Sequence, residues 1–182
     1  KLPTGKLLER KILLQALSIS KYPEVRKSSQ PIVIDLAKKH PEFGDEFVQL
    51  LAPSFLKKEE NEGRDQDVLE LLTVHLTNHL HKISLANTLD LLYSPRKAAH
   101  VLGNHLLQNH TNQKDMTMRQ IVRLGDNEMV AVRQWVESIY EKNIDRIQNE
   151  LAEAVRLTDA RWDDIRDYSF DFFREKIGEE HW

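Results

Sequence analysis

The chain has 182 residues, 26 Lys+Arg against 29 Asp+Glu, and a formal net charge of -3. Hydrophobic residues make up 40% and charged residues 30%, a globular rather than disordered balance, in a chain long enough for a core without disulfides or metals. With no cysteine, a disulfide framework, thiol chemistry and Cys-ligated metal are excluded, and six Gly with six Pro are too few for a turn-rich β sandwich.

No apolar run approaches the roughly 18 residues of a membrane span, and no signal-peptide pattern opens the chain. These features point to an intracellular, cytoplasmic or nuclear protein. The chain opens at Lys1 rather than Met, as expected of a fragment or a processed product.

Helical signals run the whole length, and the only β-leaning run is Ile32-Val33-Ile34. A first helix is expected near 4–20. Ser29-Gln30-Pro31 predicts the start of a second near 31–40, because proline's missing N–H is tolerated in a first turn. Pro41-Glu42 and Pro53-Ser54 mark breaks around shorter helices near 44–52 and 54–60. Helices near 66–82, 84–93 and 95–110 follow, the last opened by Ser94-Pro95. Thr117-Met118-Arg119-Gln120 has the spacing of a capping box, and Gly125-Asp126 reads as a helix end followed by an N-cap. No 34–45-residue period repeats, so the pattern predicts an all-α multi-helix bundle or stacked helical hairpins with one or two long C-terminal helices.

The last third carries the clearest pattern. Neither Gly nor Pro occurs between Gly125 and Gly178. At about 100° per residue, Met129, Val132, Val136, Tyr140, Ile144, Ile147, Leu151, Ala154 and Val155 share one stripe, with Trp162, Ile165, Phe172 and Phe173 nearly in phase. One helix there would span about 50 residues and roughly 75 Å. Compactness favours a fold-back near Leu157-Thr158-Asp159 instead. The expected organisation is a short-helix region over 1–125, with an amphipathic region over 126–182 packed on it or projecting, within one domain.

No catalytic or cofactor-binding constellation assembles from the sequence. His75 and His79 are four apart, which is half a metal site at most, and core-edge imidazoles bonded to their neighbours are the favoured account. His100, His105 and His110 are each rotated by about 140° and are not expected to converge. Ser18-Ile19-Ser20-Lys21 and Ser54-Phe55-Leu56-Lys57 match Ser-x-x-Lys without its companion motifs. Neither a phosphate-cradling loop nor a dinucleotide turn is present.

Two binding surfaces remain. A protein-binding or self-associating face is expected from Trp135, Tyr140, Trp162, Phe170 and Phe173, with an acidic rim of Asp163, Asp164, Asp167 and Asp171; ordinary core packing is the plain alternative for the aromatic group. Trp135 and Phe170 lie off the main stripe and are the better surface candidates. Charge comes in blocks: 1–58 is basic, 59–95 acidic, 96–123 basic and 124–182 acidic. The 96–123 block, with Arg96, Lys97, Lys114, Arg119 and Arg123, could neutralise phosphates, although it has no aromatic residue for base stacking. The sequence therefore favours a non-catalytic helical scaffold or adaptor that binds another protein, with nucleic-acid binding as the alternative and no cofactor.

Overall fold

The computed structural model describes residues 4–178, with side chains described from residue 9 onward. The protein is all-helical, with no strand among the described residues. Among these residues no helix is long and apolar enough to cross a membrane. The chain divides into two compact units, Lys1–His110 and Thr111–Trp182, so residue 125 lies within the second.

The first unit runs α1 (Thr4–Ser18), α2 (Pro23–Lys39), α3 (Pro41–Leu51), a 3-10 turn (Ala52–Leu56), α4 (Glu62–Glu70) continued by a π-turn (Leu71–His75), a 3-10 segment (Thr77–Lys82), α5 (Leu85–Tyr93) and α6 (Lys97–His110). Consecutive helices pack as neighbours, α1 on α2, α2 on α3 and α5 on α6. Their core is Val33, Phe43, Phe47, Leu51, Phe55, Leu72, Leu76, Leu80, Leu91 and Leu102, all at most 2% exposed. Each such side chain contributes about 1.5–3 kcal/mol on burial. Gly103 allows the close approach of α6 to α5, since a Cβ there would lie 3.0 Å from both the Leu92 Cγ and its backbone nitrogen.

Local caps explain several boundaries. Asn61 accepts the Arg64 N–H at 2.9 Å and Ser84 accepts the Asn87 N–H at 3.2 Å, opening α4 and α5. The expected break at Pro31 does not occur. α2 starts at Pro23 and continues through Pro31, while Arg26, Ser29, Val33 and Ala37 of the same helix are buried. An interior proline costs about 3 kcal/mol, which the burial of that continuous face outweighs.

The second unit comprises α7 (Met118–Leu124), α8 (Val130–Lys142), α9 (Ile144–Asn149), α10 (Leu151–Ala154), a 3-10 turn (Val155–Asp159), α11 (Asp163–Phe172) and a π-turn (Phe173–Ile177). The Thr117 capping box forms as expected: Thr117 Oγ1 accepts the Gln120 N–H at 3.2 Å, and Gln120 Oε1 accepts the Thr117 N–H at 2.9 Å. Asp126 is not an N-cap; α8 begins at Val130, after Met129.

No single helix spans 126–177. The chain leaves helical geometry at Asn143 (φ -134°, ψ 45°), at Glu150 (φ -112°, ψ 30°) and again around Ala160–Trp162. The Asn143 side chain donates to Ile139 O at 2.7 Å and accepts from Gln113 at 3.0 Å, a local alternative to helical bonding. Val136, Ile147, Leu157, Ile165 and Phe172, from the separate segments, are all buried. Tyr140, Phe172 and Phe173 meet edge to face, with centroids 5.4–6.2 Å apart.

Arginines tie down the loops in both units. Arg26 donates to Ser20 O and to Asp67, each at 2.7 Å. Arg96 donates to Phe55 O and Lys57 O, each at 2.9 Å, and pairs with Asp65. Arg133 donates to Asn127 O at 2.8 Å and Glu128 O at 3.0 Å, and forks onto Asp164 at 2.8 and 2.9 Å. Arg146 and Arg166 repeat the device on Met116 O and Ala160 O, paired with Glu150 and Asp163. The guanidinium's planar fork supplies the several donors that such a clamp requires.

Candidate functional site

The first hairpin presents the largest concentration of exposed apolar side chains. α1 turns Lys11, Leu14 and Ser18 inward at spacings of three and four, and the Lys11 ammonium pairs with Glu46. The Ile12-Leu13-Leu14 run places large apolar residues on three sides of one helix, and only one side can face the core. Ile12, Leu13, Tyr22 and Ile32 are accordingly 45–58% exposed. A groove of about 340 Å³ runs between the helices, lined by Leu17, Glu24, Val25, Ser28, Ser29 and Ile32. Ser28 and Ser29 are small, so the wall dips between Val25 and Ile32, and Leu13 continues the Leu17 row one turn back along α1.

The expected aromatic anchors do not form one face. Tyr140 is fully buried, with its hydroxyl donating to Ala154 O at 2.9 Å, and burial raises its pKa well above the usual phenol range. Phe173 is 1% exposed. Both belong to the unit's core and offer no surface to a partner; their place on the apolar stripe is what puts them there. Trp162 is half-buried, with Arg133 and Arg161 at 4.7 and 5.3 Å from its ring, and its indole N–H donates to Asp126 O at 3.1 Å. Trp135 is half-buried on α8. Phe170 stands 57% exposed on α11, with Asp163, Asp167 and Asp171 exposed on the same helix. Asp163 and Asp171 pair with Arg166 and Arg174.

Asp164 is exposed but bonds across to Arg133 on α8. Burial opposes its ionisation, but Arg133's hydrogen bonds and charge, with the Ile165 N–H, outweigh that and hold the carboxyl below its usual range. Nearby Glu137 is pushed the other way, by burial first and then by the Asp164 charge.

The basic set is likewise dispersed. Arg96 is 4% exposed and spends its guanidinium on internal carbonyls and Asp65, so it is unavailable to a phosphate. Lys97 and Lys114 are exposed but fall in different units. Arg119 and Arg123 are brought together with Arg156 along a cavity of about 520 Å³ in the second unit, where Asp126, Glu153 and Asp159 balance them charge for charge.

His75 and His79 do not share a helical face, because regular geometry ends at Leu76 (φ -113°, ψ 18°). His75 is exposed, while His79 Nδ1 bonds Asp45 at 2.8 Å with its ring against Gly44, where a Cβ would lie 2.5 Å away. That hydrogen bond, assisted by Lys82, holds the Asp45 carboxyl below its usual range despite partial burial. His105 and His110, expected to diverge, have ring centroids 5.6 Å apart at the end of α6. His110 is the last residue of the helix, where its ring has room to turn back. Burial, followed by the charges of His105 and His81, lowers the His110 pKa. Among the described residues, no group of three or more His, Asp or Glu is arranged to hold a metal ion.

No protein family, curated protein or solved structure matches the chain. The groove was not legible as a site in the sequence. The available signal was the Ile12-Leu13-Leu14 run, one apolar residue too wide for a helix with a single buried stripe.

Proposed function

We propose that the protein is a non-catalytic helical adaptor that binds another protein through an exposed helix face. The observation that carries this reading is an apolar groove lined by Leu17, Val25 and Ile32 on a hairpin that also leaves Ile12, Leu13 and Tyr22 exposed. Isolated exposed apolar residues are ordinary, whereas a contiguous patch with a concave floor marks an interaction surface. Phe170, with Asp163 and Asp167 beside it on α11, is a smaller second contact, and Trp135 lines no part of the groove.

Photo-crosslinking tests this reading. A benzophenone amino acid at position 13 or 32 should give a discrete adduct with one protein in native extract. Excess unlabelled chain should compete the adduct away, and a chain carrying Leu13→Glu and Ile32→Glu should not. The same adducts from exposed Glu70 on α4, or none from 13 and 32, would overturn the assignment.

The nucleic-acid alternative rests on the Arg119, Arg123 and Arg156 cluster alone. It requires binding that weakens steeply as salt rises and that is lost in Arg119→Ala.

A further inference from the structure

We propose that His105 and His110 form a two-imidazole site for a borderline divalent transition-metal ion such as Zn²⁺, with His81 closing on the bound ion. The site lies at the C-terminal end of α6, within the first unit, and is independent of the protein-binding reading. The two ring centroids are 5.6 Å apart, with the planes inclined by 41°. Two imidazole nitrogens about 2.0–2.1 Å from one ion, at a tetrahedral angle, set their ring centroids roughly 5.2 Å apart. The observed spacing is close to that of a ligating pair, and χ2 of His is a soft torsion about which the rings can turn their nitrogens to one ion. Nε2 of His105 is buried and has no hydrogen-bond partner. Such an atom is costly to leave unpaired, and an ion gives its lone pair a partner.

The surroundings act in the same direction. His110 is the last residue of α6, where the unpaired carbonyls of a helix end carry partial negative charge and attract a cation. Burial, then the charges of His105 and His81, keep the His110 imidazole in the neutral form that a metal requires. His81 stands on the 3-10 segment (Thr77–Lys82) that packs against α6. Its Nδ1 lies 2.9 Å from Asn78 O, so in the neutral ring that nitrogen donates and Nε2 keeps the lone pair. That is the tautomer of a ligating His backed by a carbonyl. The His81 ring is exposed and has to turn towards the pair to add a third nitrogen, since no three such groups are already arranged around an ion among the described residues. Water fills the remaining positions. The groups acting on His110 include no carboxylate, which selects an imidazole-seeking ion over Ca²⁺ or Mg²⁺ with their oxygen ligands.

Isothermal titration calorimetry of the whole chain with Zn²⁺ tests the proposal. Saturable binding of one ion per chain is expected, weakened at least about tenfold in His105→Gln and in His110→Gln. His75→Gln, at an exposed position outside the site, should leave it unchanged. His81→Gln should weaken it by a smaller factor, and unchanged affinity there would overturn the third ligand. No saturable binding, binding that survives both α6 substitutions, or an equal loss in His75→Gln would overturn the site. His105 is partly buried, so electron paramagnetic resonance of the unsubstituted chain with a sub-stoichiometric amount of Cu²⁺ gives a reading that needs no variant to fold. One species with splitting from two or three imidazole nitrogens is expected. A mixture of species, or coordination by oxygen alone, would refute the pair.

Discussion

Arg96→Ala should destabilise the first unit severely, and the reason separates a structural cation from a ligand-binding one. The Arg96 side chain is 5% exposed and its Asp65 partner 13%. Breaking one side of a buried ion pair costs about 3–5 kcal/mol when the remaining charge stays desolvated, and here Asp65 keeps Arg64 at 3.2 Å, which places the loss at the lower end. The carbonyls of Phe55 and Lys57 would also lose donors at 2.9 Å, each worth about 1–3 kcal/mol if left dry. These terms overlap, so about 3–5 kcal/mol is expected in total, a large share of the roughly 5–15 kcal/mol that stabilises a domain. Urea unfolding followed by circular dichroism measures it, with a fall in Tm on the order of 10 °C. Arg96→Lys should rescue only part of the loss, since an ammonium cannot serve the carboxylate and both carbonyls as a planar fork does. Lys97→Ala, exposed at the next position, should change stability by no more than about 0.5 kcal/mol. A loss below about 1 kcal/mol in Arg96→Ala, or equal losses at 96 and 97, would refute the clamp.

Gly44→Ala should cost about 1–3 kcal/mol by pressing a methyl group into the His79 ring, and adding His79→Ala should relieve much of that in a double-mutant cycle. Tyr140→Phe should cost about 1–2 kcal/mol in urea unfolding by removing the buried hydroxyl's bond to the Ala154 carbonyl. The lowered His110 pKa means that the unfolded chain binds its proton more tightly, so stability should fall as pH drops below 6.5 and level off below the folded value. That decline should shrink in His110→Gln, and a variant with an unchanged pH profile would count against it. The raised Glu137 pKa has the opposite consequence: its contribution is present at low pH and lost as pH rises through the folded value, so Glu137→Gln should raise Tm at neutral pH.

The all-helical class was readable because it rests on local signals. The Thr117–Gln120 box and the break at Pro41 act within one turn, and the structure carries both, although the helix after the break begins at Pro41 itself rather than near 44. The end of the long C-terminal helix was not readable from glycine and proline, which are absent between 125 and 178. Asn143 breaks that helix through a side chain bonded to Ile139 behind it and Gln113 some thirty residues away. Pro31 shows the converse, a local stop signal overridden by a buried face on both sides of it. The aromatic stripe assumed one continuous helix, and the breaks at Asn143 and Glu150 divide it among separate elements. What lay beyond the sequence was which members a fold-back would cover, and it covers Tyr140 and Phe173 while leaving Phe170 exposed.

The arginines explain why charge blocks misdirect a search for binding surfaces in such a chain. An all-helical chain poor in Gly and Pro has connections whose carbonyls point in several directions, and each unpaired buried carbonyl is costly. Here one guanidinium per connection gathers them and sets its own charge against a carboxylate on another helix: Asp67 for Arg26, Asp65 for Arg96, Asp164 for Arg133. These partners lie 31 to 41 residues away from their arginines. Two of these pairs, Arg26–Asp67 and Arg96–Asp65, couple a basic with an acidic segment and so register in a block count as excess charge on separate surfaces, while Arg133–Asp164 falls within the acidic 124–182 block. Subtracting such internal pairs removes Arg96 from the phosphate-binding set and leaves the first hairpin with a basic surplus on its exposed described residues. Any residue-count inference about partners in this protein has to be made after that subtraction, because the cations with the most hydrogen bonds are the ones least able to meet a ligand.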